Sequence, residues 1–293
     1  MKLESVTFIG RAVDHSVPLT ARMLDRRDFD GIRLLARGHH GHRSKYLHLD
    51  VGARPAAVHA EVVRHVQAVT DKPLCIHAPD AACARAALGA FDAGRCHGQA
   101  PMLDSISETR MGMLGCYWDQ PFLPVFDLSD HVEHGGAEIN RTACEVYRTA
   151  CELHQAAATF GFDNRLMVFA PGFAPIGADA TGTLSRSLEA MRRIRDDRRF
   201  AGAHIMANLC ALTRQLPAEG VDKPRVRHLL ECAFLTRALP LGLDLVVGSR
   251  DARYELLAEG HPALQCLDEA LAMRGYDVMI RVFEFAEGNG HPT

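Results

Sequence analysis

Four features are missing from this chain of 293 residues, and each absence removes a class of protein. It has nine cysteines but no Cys-x-x-Cys pair. They stand singly within apolar or helical segments, so they read as reduced core thiols and not as a disulfide framework. It has no apolar stretch approaching the roughly 20 residues that cross a bilayer, and Met1-Lys-Leu-Glu-Ser5 leads straight into a strand-like run without the apolar core of a signal peptide. A cytoplasmic protein without a membrane span is expected. It also lacks a basic excess. The 33 Lys and Arg against 36 Asp and Glu give a net charge of -3, and Arg192-Arg193 and Arg198-Arg199 are interleaved with Asp196-Asp197, so no nucleic-acid partner is expected. Finally, no Gly-rich phosphate fingerprint follows the first strand; Gly10-Arg-Ala-Val-Asp14 stands there instead.

What is present is alternation. Apolar runs of strand length fall at 6–10, 46–51, 74–77, 101–104, 122–126, 166–170, 203–207 and 243–247, near-continuous as in parallel strands buried on both faces. Between them lie stretches with helical periodicity: 19–37, 56–69, 81–93, 108–116, 136–160, 183–195, 225–239, and 252–259 continuing into 262–273. Asp71-Lys-Pro73, Gly161-Phe-Asp-Asn164 and Leu241-Gly-Leu243 mark breaks, and no linker, repeat or low-complexity segment divides the chain. Eight strands alternating with helices predict one α/β domain over residues 1–293, a (β/α)8 barrel. An open doubly wound sheet is the competing fold.

Several strands run from apolar into polar residues: Tyr46-Leu-His48-Leu-Asp50, Leu74-Cys-Ile-His77, Pro101-Met-Leu-Asp104-Ser105 and Ile205-Met-Ala-Asn208. Parallel barrel strands all point one way, so groups at their C-terminal ends meet over one mouth. His48, Asp50, His77, Asp104, Ser105 and Asn208 are therefore expected to line one substrate pocket. Taken singly, each also reads as a cap or a satisfied loop group; Ser107 ahead of Glu108 fits a helix cap, and His77 fits a core histidine. Two imidazoles and two carboxylates, His48, Asp50, His77 and Asp104, also suit zinc, manganese or iron(II), the alternative reading of the same pocket as a metal-dependent enzyme. His48 and Asp50, two apart in a strand, share a face at different depths. His39-His40-x-His42 reads as a helix-end patch, and His131-x-x-His134 before Gly135-Gly136 as a loop over the mouth.

These strand ends, with Tyr46-Leu-His-Leu-Asp-Val-Gly52, Lys72-Pro-Leu-Cys-Ile-His77, Pro101-Met-Leu-Asp-Ser-Ile-Ser107, Met206-Ala-Asn208 and Gly242-Leu-Asp-Leu-Val-Val247, give a sequence that resembles the pterin-binding barrels over nearly its whole length. The families are dihydropteroate synthase and, more closely, the methyltetrahydrofolate:corrinoid methyltransferases. In that pattern His48 stands where an Asp is usual, Asp50 for Asn, His77 for Asp and Asp104 for Asn; Ala170 falls where a further pterin-binding Asp is expected, and Asn208 is kept. The resemblance implies a methyltransferase of one-carbon metabolism. Its ligand would be tetrahydrofolate or a related pterin, and its corrinoid (cobalamin) would ride on a partner protein. It implies a homodimer. It also implies catalytic roles for Asn208, as hydrogen-bond donor to the nitrogen that carries the methyl group, and for Asp104, which like His77 is able to relay a proton. A non-catalytic barrel subunit of such a system is the further alternative.

Overall fold

The computed structural model describes residues 3–39, 43–216, 223–249 and 253–289. Eight parallel strands close into a barrel: β1 (Thr7–Asp14), β2 (Tyr46–Asp50), β3 (Leu74–His77), β4 (Met102–Ile106), β5 (Leu123–Asp127), β8 (Val168–Ala170), β9 (His204–Asn208) and β10 (Leu243–Gly248). β1 pairs with both β2 and β10, which closes the cylinder and excludes an open sheet. The two remaining strands, β6 (Asp130–Glu133) and β7 (Gly136–Ile139), form a separate antiparallel hairpin.

Around the cylinder lie α1 (Pro18–Asp25), α2 (Phe29–Arg37), α3 (Ala56–Gln67), α4 (Ala81–Ala90), α5 (Ala143–Thr159), α6 (Thr183–Asp196), α7 (Leu209–Leu212), α8 (Lys223–Ala238), α9 (Pro262–Ala272) and α10 (Tyr276–Asn289). None of the described helices is long and apolar enough to cross a membrane.

Period-2 alternation divides each strand between two cores. One side of the strands, with Leu47, Leu49, Leu74, Ile76, Leu103 and Phe126, joins the large cluster shared with the helices. The other supplies Ile9, Tyr46, Cys75, Met102, Val125, Val168, Met206, Leu245 and Val247, a second buried cluster to which every barrel strand contributes. This is the packed lumen. Two residues further along the same inward columns the chemistry changes, from Tyr46 to His48 and Asp50, from Cys75 to His77, from Met102 to Asp104, from Val125 to Asp127 and from Met206 to Asn208. An apolar plug thus carries a polar rim at its C-terminal end.

The expected helices differ from the observed ones where side chains offer better local hydrogen bonds. The segment 19–37 is two helices, because Arg27 takes a left-handed conformation (φ 52°) and Asp28 then caps α2 by accepting from the Gly31 N–H at 2.9 Å. The segment 108–116 is a 3-10 helix that runs on to Trp118. Helix α5 starts at Ala143, not 136, because Thr142 and Glu145 form a reciprocal capping box there. The residues before it form β7. His134 and Gly135 both have positive φ (51° and 82°), the two-residue turn that matches the twist of a hairpin.

No helix occupies 253–258; Tyr254 instead stacks on Phe8 with ring centroids 5.6 Å apart. Ala252 of that expected helix lies outside the described residues. Seven of the nine cysteines are buried, as core thiols should be, while Cys151 is half-buried and Cys144 exposed.

Candidate active site

A cavity of about 240 Å³ opens at the C-terminal mouth, lined by His48, Asp50, His77, Asp104, Ser105, Asp127, Ser129, Ala170, Gly172, Phe173, Met206, Asn208, Ala211 and Val247. All six residues expected from the strand ends meet there. Strand register explains the convergence: Asp50 is level with His77, His77 with Asp104, and Val247 with Asn208. Because the side-chain period is two, each polar residue shares the inward column of the apolar residue below it.

Asp104 is the centre of the arrangement. Its Oδ2 lies 3.3 Å from both His48 Nε2 and His77 Nδ1, and the carboxylate is buried. Burial alone would push the Asp104 carboxyl up; hydrogen bonds from the two imidazoles and their charge outweigh it and hold the group well below the usual carboxylate range. His77 moves the opposite way. Burial disfavours its charge, but the hydrogen bond to Asp104 and the Asp104 and Asp50 charges raise it to about 9. The His77 side chain is only part-buried and lines the cavity. His48 is more deeply placed, and its Nδ1 is buried without a hydrogen-bond partner among the described residues.

Asp50 is held separately. His15 Nδ1 lies 2.9 Å from its Oδ1, which also accepts from the Gly52 N–H at 3.0 Å. Gly52 sits at φ 69°, and a Cβ there would lie 2.8 Å from the His15 ring, so the turn that presents Asp50 needs glycine. The metal set expected from the sequence, His48, Asp50, His77 and Asp104, does not assemble. Among the described residues the donor atoms that come together are those of His48, Cys75 and Asp104, and those of Asp14, His15 and Asp50. Asp50 is instead engaged by His15 and the Gly52 N–H.

Asn208 ends β9 and caps α7, its Oδ1 accepting from the Ala211 N–H at 3.1 Å. With the oxygen tied down, the amide Nδ2 is the group it has left to donate.

Sequence reasoning missed Asp127 and Ser129. Asp127 is level with Ala170 on the neighbouring strand, so a carboxylate stands one strand away from the position that lacks one. Its Oδ1 accepts from the Ser129 N–H at 3.0 Å and the Ser129 hydroxyl at 2.5 Å, and its Oδ2 accepts from Arg110 at 3.3 Å. The signal was present in Leu123-Pro-Val-Phe-Asp127, another apolar run ending in a polar residue, but the strand had been closed at Phe126.

Ser107 occupies the N-cap position without capping. Its hydroxyl meets Thr109 Oγ1 at 2.9 Å and accepts from Arg110 Nε at 3.2 Å, so it steadies the Arg110 side chain.

The two expected histidine patches also differ. His39 is buried, filling the space left by Gly10, where a Cβ would lie 2.5 Å from its ring; His40 and His42 lie outside the described residues. His131 is buried within the hairpin, with Nε2 3.4 Å from Glu133, while β6 packs against α5 and the 108–118 segment, and Glu108 accepts from the Val132 N–H at 2.7 Å. No residue of β6 or β7 lines the cavity.

A closed parallel barrel whose ionisable groups converge at the C-terminal mouth belongs to the architecture in which that face carries the ligand site. Similar solved structures are dihydropteroate synthases. That of Xanthomonas albilineans in complex with 7,8-dihydropteroate shares 19% identity at a TM-score of 0.56, covering 93% of this chain and 92% of that one. That of Stenotrophomonas maltophilia with active site-bound imidazole shares 18% at 0.53, covering 93% and 92%. That of Burkholderia cenocepacia shares 17% at 0.53, covering 93% and 91%. At these identities the likeness establishes the fold. No family model and no curated protein matches the sequence.

Proposed function

We propose that this protein is an enzyme of one-carbon transfer that holds a flat, N–H-rich heterocycle of pterin type, tetrahydrofolate or a relative, in the mouth cavity, and exchanges a methyl group between it and a corrinoid carried by a partner protein. One observation carries this reading: three carboxylates and the Asn208 amide face a single small cavity above an apolar floor. Support also comes from the shared fold with dihydropteroate synthases, one of them bound to a dihydropteroate.

Acceptor-only carboxylates suit a ring edge made of N–H donors. Among the described residues, Asp104 has one oxygen engaged by the imidazoles and Asp50 has one engaged by His15 and Gly52, which leaves each a second oxygen for ligand. Each charge-assisted hydrogen bond so formed contributes about 1.5–3 kcal/mol. Phe173 and Met206 supply apolar surface for the ring face.

When a methyl group leaves a ring nitrogen, the bonding electron pair returns to that nitrogen. A donor whose hydrogen bond strengthens as the pair localises accelerates the step selectively. Asn208 is that donor. The corrinoid, when its carrier docks over the mouth, supplies the cobalt that gives or takes the methyl group. The same reading carries a homodimer, which sedimentation would show.

The test combines purified protein, methyltetrahydrofolate and a corrinoid-loaded protein, with cobalt methylation followed by absorbance, alongside calorimetric titration of tetrahydrofolate. Binding of the folate and a change in the cobalt spectrum are expected. Neither binding nor spectral change with any folate or pterin would overturn the proposal.

A further inference from the structure

The lumen beneath the proposed ring site holds Cys75, a thiol that the methyl-transfer reading does not use. His48 on β2 is level with Cys75 on β3, both facing inward, and Asp104 on β4 reaches the same point from above. One donor atom from each of the three lies within 4.8 Å of the others, and His48 Nε2 is 3.3 Å from Asp104 Oδ2. Two ligands bonded tetrahedrally to zinc at roughly 2.0–2.3 Å stand about 3.3–3.7 Å apart, a separation that His48 and Asp104 already meet.

Two further facts favour a ligand here over a thiol that merely fills the core. Asp104 is itself braced by His77 at 3.3 Å, the outer support that orients a ligating carboxylate. The charges also balance: a thiolate and a carboxylate with one neutral imidazole neutralise a dication in the buried lumen.

We propose that His48, Cys75 and Asp104 form a three-ligand site for a divalent cation of zinc type in the lumen, beneath the cavity that His48 and Asp104 line. Binding forms the sulfur–metal bond as the Cys75 thiol proton leaves to solvent; no electron transfer is involved. Mixed nitrogen, oxygen and sulfur donors select zinc or cobalt(II) over magnesium or calcium. The site shares His48 and Asp104 with the proposed ring pocket and adds Cys75, which does not line that cavity.

The experiment treats the full chain with a chelator, removes the chelator, and titrates it with zinc or cobalt(II), reading metal content by elemental analysis and the cobalt form by its sulfur-to-metal charge-transfer absorption. One equivalent per chain, with that absorption, is expected. Cys75→Ser should abolish the charge-transfer band and weaken binding at least 10-fold, and His48→Gln should weaken it similarly while the protein still shows a normal thermal transition. Cys116→Ser, a buried thiol on the 108–118 segment outside the lumen, should leave both readings unchanged. Absence of stoichiometric metal, or a band that persists in Cys75→Ser, overturns the proposal; should Cys75→Ser fail to fold, full metal affinity in His48→Gln overturns it equally. Folate binding is measured separately, so failure of either idea is recognised without the other.

Discussion

Replacing Asn208 separates two duties of one side chain. Its Oδ1 caps α7 through the Ala211 N–H, while its Nδ2 is left to donate into the cavity. Loss of an N-cap acceptor costs about 1 kcal/mol, which in a domain of this size lowers Tm by roughly 2–4 °C. Loss of a donor aimed at developing charge costs about 2.7–4 kcal/mol of transition-state stabilisation, or a factor of roughly 10² to 10³ in rate. Asn208→Ser keeps a cap acceptor, since serine is as good an N-cap as asparagine, but its hydroxyl sits closer to the backbone and cannot reach where the amide does. Asn208→Ala loses both functions. The expected pattern is an unchanged Tm with a rate 10² to 10³ lower for Asn208→Ser, and the same rate loss with a Tm lower by about 2–4 °C for Asn208→Ala. Calorimetry gives the first quantity and the cobalt absorbance assay the second. A Ser variant that turns over within about threefold of the parent would refute the donor role, whatever its stability.

Two further outcomes concern stability. At the opposite end of the barrel, His204 Nδ1 lies 2.6 Å from Asp244 Oδ2, and this hydrogen bond raises the imidazole against the opposing effect of burial. A raised folded value means that the pair stabilises the fold fully below the ordinary histidine range and loses that contribution as pH rises through the folded value. The urea-unfolding difference between parent and His204→Gln should therefore be largest below the ordinary histidine value of about 6.5 and shrink as pH rises above it; a difference that grows with pH would contradict the assignment. Gly182, the N-cap of α6, sits at φ 78°, a left-handed conformation that strains any residue with a Cβ, whereas the Arg274 guanidinium beside it is the end of a flexible side chain and can move aside. Gly182→Ala is expected to cost about 1–2 kcal/mol by chemical denaturation, and an unchanged midpoint would show that the turn relaxes.

The strands were legible because a buried parallel strand is a short, uninterrupted apolar run, a signal that needs no knowledge of neighbours. Their polar ends were legible for the same reason, and the common direction of barrel strands then implied that His48, Asp50, His77, Asp104, Ser105 and Asn208 share one mouth. The helix starts were misread at 136 and within 19–37. A capping box at Thr142 and Glu145, and a left-handed Arg27 followed by the Asp28 cap, compete locally with helical periodicity in ways that a hydrophobic pattern does not record. Asp127 was lost to a strand closed one residue early.

What the chain alone determined is therefore the order of elements and the set of groups at the barrel rim, since both follow from patterning along one dimension. Tertiary structure decided how those groups are partnered. Strand register and depth set His48 and His77 on the same oxygen of Asp104, gave Asp50 to His15, and brought Cys75 beside His48, although nothing in the spacing of residues 48, 75 and 104 announces it. Periodicity fixes which face a side chain occupies; only closure of the cylinder fixes its height and its neighbour.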